Sequence, residues 1–300
     1  MATQIKTIKQ KITSISNIKK ITKTMEMVSI AKMKKAVDLS LRSKEYAKYA
    51  LEILKTLANE REIEHPLLEP GKGGTTLLVI FASNKGLCGS YNMNVSKLVH
   101  QYKMKHGDKI EAVTIGKQAE KIAHRNKFKI IASFHDFGED ISIEEVVSLR
   151  KFLMKQFLET GKYKRVIAIY TEFIKRLNYQ PIARKILPVT VKATQNLLSD
   201  SVSAPAEKNS DTMPLYIFEP SEARVLEKVI PTLLNDVLLQ IMLESLASEH
   251  SSRMVAMKNA TDNATELVSD LLLTFNRARQ ANITQEVAEI IAGAEALNKN

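Results

Sequence analysis

Tryptophan is absent from the 300 residues, cysteine occurs once, and glycine and proline number only ten and eight. The lone Cys88 excludes an internal disulfide, a cysteine-built zinc site and a dithiol switch, so the chain reads as intracellular. Long apolar runs are missing as well. None approaches the ~20 residues that cross a bilayer, and any membrane association is expected to be peripheral. Lys6, Lys9 and Lys11 are not followed by an apolar segment, which argues against a secretory signal, and the Arg-rich, acid-free character of an organellar presequence is lacking. The scarce breakers are also unevenly placed. Neither glycine nor proline occurs from Met1 to His65, nor between Pro231 and Gly293. The termini are therefore long uninterrupted stretches, which excludes one compact domain of evenly spaced elements.

Those stretches carry helical periodicity. Ile5, Ile8, Ile12 and Ile15 step by three and four, and Ile18, Ile21, Met25 and Val28 continue the stripe after a small phase shift. Leu39, Tyr46, Tyr49, Ile53 and Leu57 extend the apolar side until Pro66 and Pro70 end it. Near the other end, Ser221 is placed to cap a helix whose apolar positions are Leu226, Ile230, Leu233, Val237 and Ile241. The stripe resumes as Ala264, Leu267, Leu271, Phe275 and Ala278, then Ile283, Val287, Ile290, Ala294 and Leu297. Ala256, Ala260 and Ala264 form a line of small residues suited to close approach by another helix. Charge favours pairing the two ends: residues 1–60 hold thirteen basic and five acidic side chains, residues 221–300 seven and eleven.

The middle changes period. Short apolar runs at 76–81, 110–115, 129–134 and 165–170 alternate with helical stretches at 93–105, 117–126 and 143–159, the signature of an α/β layer with a largely parallel sheet. Residues 186–191, bounded by Pro181 and interrupted by Pro188, read as an edge strand at most. The polar run from Ser199 to Asp211 reads as a mobile loop.

Candidate chemistry finds little support. The loop Ser83 to Ser90 follows the first strand, where α/β folds hold phosphates, but Gly86 and Gly89 match neither a Walker nor a dinucleotide spacing and read as turn and packing residues. Cys88 has no histidine or carboxylate near it in sequence, and the six histidines show no metal-ligand spacing. Asp136, Glu139, Asp140, Glu144 and Glu145 lack the order of a calcium loop and read as acids at a helix N-terminus. The net charge of +11 calls for an acidic partner, whether nucleic acid, lipid or protein. In the first forty residues no aromatic or arginine accompanies the lysines, which weakens a nucleic-acid reading. A dinucleotide-dependent enzyme and a nucleic-acid-binding coiled coil both stay open on these grounds.

Longer motifs are more specific. Ile21-Thr22-Lys23-Thr24-Met25-Glu26-Met27-Val28, with Ala31-Lys32-Met33, resembles the first helix of the gamma subunit of F-type rotary ATP synthase. The run from Arg253 to Ala264 and the run from Asn276 to Glu286 resemble that family's most characteristic stretch. Ser83 to Gly89 is similar to a third family motif, with Asn84 and Lys85 standing where an acid and an arginine are usual. The resemblance covers essentially the whole chain, and the single cysteine fits the bacterial type rather than the thiol-regulated chloroplast one.

The resemblance implies an α/β fold with a long antiparallel coiled coil, the N- and C-terminal helices paired as a shaft around a central Rossmann-like domain. It divides the chain into a shaft helix at 1–65, an α/β foot at 75–195, a mobile connector at 196–219 and a second shaft helix at 220–298. The implied role is a non-catalytic, cofactor-free rotor that couples c-ring rotation to the cycling of the catalytic beta subunits. Implied partners are the alpha and beta subunits, epsilon and the c ring, with no nucleic acid and only indirect membrane association, at the cytoplasmic face of the bacterial inner membrane. By matching position, Arg279 and Gln280 resemble the pair that engages a catch loop of beta, supported by Thr284 and Glu286. Met25, beside Lys23 and Glu26, matches the position facing an acidic lever loop of beta; Tyr216 and Glu219 resemble foot residues facing the c ring.

Overall fold

The computed structural model describes residues 2–60, 65–107, 109–135, 141–189, 219 and 221–298. In chain order the elements are α1 (Ala2–Glu60), β1 (Thr75–Phe81), α2 (Tyr91–His106), β2 (Lys109–Ile115), α3 (Lys117–Arg125), β3 (Lys129–Phe134), α4 (Ile143–Glu159), β4 (Tyr163–Lys175), β5 (Asn178–Leu187) and α5 (Glu222–Asn298). Contacts divide the chain into two units, Ile30–Arg253 and the pair Met1–Ser29 with Met254–Asn300. The three helices and the strands expected at 76–81, 110–115 and 129–134 form within a few residues of the boundaries read from the pattern.

In the larger unit the five strands lie in the order β3-β2-β1-β4-β5, the first four parallel and β5 antiparallel. β1 is central and buried along its whole length, which is why Thr-Thr-Leu-Leu-Val-Ile-Phe is a continuous run rather than an alternation. Leu77, Val79 and Phe81 face α4 and the first part of α5, where Leu149, Leu153, Ile230, Leu234, Leu238 and Ile241 complete one core. Leu78 and Ile80 face α2 and α3 through Val95, Val99, Ala119 and Ile122. α5 is apolar enough over one 18-residue stretch to cross a membrane, yet 61% of that stretch is buried. Its hydrophobicity belongs to the core.

Two details of the sheet differ from the sequence pattern. β4 continues past Tyr170 to Lys175 and turns through Arg176 and Leu177 into β5, so the edge strand starts at Asn178 and ends before Pro188. Pro181 sits in that edge strand opposite Thr171, at a sheet border where its missing N–H breaks no ladder. Of the acidic cluster, Glu144 and Glu145 occupy the first turn of α4, and Ser142 and Glu145 form a reciprocal capping box. Asp136, Glu139 and Asp140 lie outside the described residues, as do residues 190–218, which include the Ser199–Asp211 run, and the side chains of Tyr46, Ile53 and Leu57.

The smaller unit is a helix pair. Thr22 and Thr261 meet there, their hydroxyl oxygens 2.8 Å apart. In the larger unit Gln240 reaches Ser40 at 2.7 Å. The partner thus moves backward along α5 as α1 advances, the order of an antiparallel coiled coil.

The seam does not follow every apolar residue. On α1 it keeps a strict heptad from Ile5, Ile8, Ile12 and Ile15 through Lys19 to Thr22, Glu26 and Ser29. The expected continuation through Ile18, Ile21 and Val28 faces outward, at 50%, 60% and 47% exposure. One residue of shift is about 100° of rotation, more than a supercoil can absorb in one turn. α5 behaves likewise: Met254, Met257, Thr261 and Ala264 are buried and Val268, Leu271, Phe275, Ala278 and Asn282 half-buried, while Leu267, Ile283, Val287 and Ile290 are exposed. Ala256 and Ala260 are half-buried beside that line.

Candidate functional site

Around Thr22 to Ser29 the helix pair of the smaller unit takes polar side chains into a seam that is apolar on either side, and leaves apolar ones outside. Thr22, Glu26, Ser29 and Thr261 are buried, while Ile18, Ile21, Met27 and Val28 on α1 and Leu272, Leu273, Ile283 and Ile290 on α5 are exposed. A soluble pair that only had to hold itself together would do the reverse.

Of the residues implied by the resemblance, Lys23 pairs with Glu26 at 3.0 Å, and Met25 between them is half-buried. Arg279 and Gln280 are exposed on α5. Thr284 donates its hydroxyl to the Gln280 carbonyl at 3.0 Å, and Glu286 accepts from Asn282 Nδ2 at 2.8 Å, so both supporting residues are engaged within their own helix. Arg279 lies eighteen residues past Thr261, about 27 Å along the helix. The Met25 group and the Arg279 group are thus two separate stations on one unit. The register of Thr22 with Thr261 sets Ala2 level with about residue 281. Ile283, Val287 and Ile290, beyond that level, are exposed. Glu219 is exposed, and Tyr216 lies outside the described residues.

In the larger unit a cavity of about 270 Å³ opens at the carboxyl ends of β1 and β2, bordered by Asn84, Gly116, His135, Glu249 and Arg253. This is where open α/β sheets receive ligands, but here α5 forms one wall and the loop after β1 is committed to internal bonds. Ser83 N and Oγ both meet Asn92 Oδ1 at 3.1 Å, and Asn92 Nδ2 reaches Cys88 Sγ at 3.1 Å. Asn84 donates to the His135 carbonyl at 2.9 Å and accepts from Lys117 N at 3.0 Å, fastening the loop to the ends of β2 and β3. Burial pushes the Cys88 thiol up, which suits a packing residue. Gly89 takes a left-handed φ of 55°, as a turn glycine should. Gly86 needs no such freedom; Leu87, at φ 61°, makes the other left-handed step. No group of His, Cys, Asp and Glu among the described residues could hold a metal.

The sequence pattern missed a polar cluster on α5. Ser245, Ser248, Ser251, Ser252 and Arg253 are all buried. Ser245 Oγ lies 2.7 Å from Tyr91 Oη, Ser248 donates to the Thr171 carbonyl at 3.2 Å, Ser251 donates to the Arg176 carbonyl, and Ser252 donates to the Cys88 carbonyl at 2.6 Å. Arg253 pairs with Glu249 at 2.6 Å and reaches the Lys85 and Gly86 carbonyls at 3.3 and 3.4 Å. Its Nη1 donates to His250 Nδ1 at 3.2 Å. The visible signal was four serines in eight residues at the end of an apolar helix.

A coiled-coil pair and an α/β domain made by one chain, with apolar residues exposed on the pair, have the architecture of a helical-shaft scaffold. A family profile described as ATP synthase matches residues 4–297. The ATP synthase gamma chain of Heliobacterium modesticaldum is 35% identical over 291 residues, covering 97% of this chain and 98% of that one. The gamma chain of Stenotrophomonas maltophilia is 35% identical over 295 residues, with 97% and 98% covered. Among solved structures, the rotor of the Euglena gracilis mitochondrial ATP synthase superposes with a TM-score of 0.63 at 18% identity, covering 94% of this chain and all of that one. The central stalk of the Tetrahymena thermophila mitochondrial enzyme gives 0.57 at 23%, covering 80% and 99%. The chain belongs to the ATP synthase gamma chain family, that of the central-stalk rotor, a non-catalytic subunit of a membrane-associated complex.

Proposed function

We propose that the paired helices turn inside the hexamer of alpha and beta subunits, with residues 1–65 and 220–298 as the shaft, 75–195 as the foot and 196–219 as the connector. The carrying observation is the local inversion of the helix pair: polar Thr22, Glu26, Ser29 and Thr261 between the helices, apolar Ile18, Ile21 and Val28 outside. Such a surface suits a sleeve of other subunits against which it slides. Arg279 and Gln280, exposed at the level where α1 begins, engage one loop of beta, with Thr284 and Glu286 beside them. Lys23 and Met25 meet an acidic loop of beta at the second station. Glu219, with Tyr216, faces the c ring, and epsilon binds the foot. The excess lysine of residues 1–60 is directed at acidic protein loops and not at nucleic acid. The complex sits on the cytoplasmic face of the bacterial inner membrane, and this chain touches the bilayer only through its partners. Rotation shifts each beta subunit between states by differential contact, with no chemistry in this chain.

Replacing Arg279 and Gln280 together by alanine tests the catch. Loss of two anchoring side chains at an interface predicts a fall of about tenfold or more in ATP synthesis by the reconstituted complex. Helicity of the isolated chain stays unchanged, since both side chains are exposed. Wild-type synthesis rates would remove the assignment.

A further inference from the structure

The serine cluster on α5 has a geometry that packing alone does not require. From Leu226 to Met242 the helix is held against the sheet and α4 by aliphatic contacts, which are non-directional and tolerate rotation about the helix axis, while its Gln240 bond to Ser40 goes to α1. From Ser245 to Arg253 the means of attachment changes. Four hydroxyls and one guanidinium bind the start of α2, the β4 backbone, the β4–β5 turn and the loop after β1. At 100° per residue these five positions cover about 200° of the helix circumference. Hydrogen bonds are directional and weaken steeply when bent, so a helix tied on opposed sides to four segments cannot turn without breaking several at once. Arg253 is the last residue of the larger unit; at Met254 the helix passes into the other one.

We propose that Ser245, Ser248, Ser251, Ser252 and Arg253 are a torsional grip: positioning residues that lock α5 against rotation within the α/β domain, so that torque on the domain enters the shaft rather than being lost as twist at their junction. The proposal rests on the rotor reading and adds the residues through which the rotor holds its own shaft. Small hydroxyls suit the task, because they bind carbonyls at short range without the slack of a long side chain. The Arg253–Glu249 pair stiffens the last turn before the helix leaves.

The test uses the assembled complex, fixed through its catalytic head, with a probe on the foot at an introduced Lys155→Cys; Lys155 is exposed on α4, whereas Cys88 is buried. The variant carries Ser248→Ala, Ser251→Ala and Ser252→Ala. The expected result is normal assembly and ATP hydrolysis, an increase of about twofold in the thermal angular variance of the probe, and fewer protons moved per ATP. Restoring a hydroxyl with Ser252→Thr in the same background should recover part of the stiffness, which a merely structural loss would not predict. Unchanged variance and coupling would overturn the grip. Should the triple variant fail to assemble, Arg253→Lys, which keeps charge and bulk but loses the fork, is read the same way: softening supports the grip and wild-type stiffness overturns it. A foot that does not turn at all in the unsubstituted complex during hydrolysis would instead defeat the rotor reading.

Discussion

Asp236 sits half-buried on α5 with its Oδ2 lacking a hydrogen-bond partner, and burial pushes its carboxyl from 3.8 up to about 6. A carboxyl whose folded pKa lies above its unfolded value stabilises the fold fully only below the lower value, and the contribution is lost as pH rises through the window. Asp236→Asn is therefore expected to raise stability at pH 7.5 by on the order of 1 kcal/mol, after discounting for the water that still reaches the side chain. Thermal unfolding at pH 4 and 7.5 checks this: the gain should appear at the higher pH and shrink at the lower. Glu111 shows the opposite balance. Burial disfavours its charge, but hydrogen bonds from Lys162 and Tyr163 outweigh that and hold its pKa below the usual range. Nothing in the local sequence announces either environment, because the residues that create each one come from elements far away along the chain.

At the scale of elements, much was legible. Alternating apolar runs gave every parallel strand and the three shorter helices, since a buried strand and an amphipathic helix have different periods. The α4 start was legible through the acids Glu144 and Glu145, to which the structure adds the capping box of Ser142 with Glu145. Ser142→Ala is expected to cost about 1 kcal/mol through loss of the capping box, measurable as a lower urea midpoint with an unchanged slope. The coiled-coil seam was legible only in part. Following apolar residues through Ile18 and Ile21 leads off the seam, because the helices keep their heptad and accept Thr22, Glu26 and Ser29 inside. The β4–β5 hairpin was missed beyond Tyr170 for a related reason: a half-exposed strand with Pro181 in it carries little apolar signal, and pairing with β4 holds it in place.

For the whole molecule, the outward apolar residues separate folding from assembly. Ile21→Ser with Val28→Ser is expected to leave the isolated chain's unfolding free energy within about 0.5 kcal/mol of wild type, because exposed side chains contribute little to folding. Incorporation into the ATP synthase complex should fall. Equal incorporation in a pull-down with the catalytic subunits would count against the sleeve, whereas a lowered melting temperature would show that these side chains pack within the chain itself.

By itself the sequence determined the two breaker-free helical ends, the α/β middle and the family, because periodicity, scarcity of glycine and proline, and long motifs are properties of the chain. Only the tertiary structure decided which residues lie between the helices, and that Ser245 to Arg253 bind four other segments. Both depend on register between segments as far as 239 residues apart, and the order of residues along one helix does not carry that register.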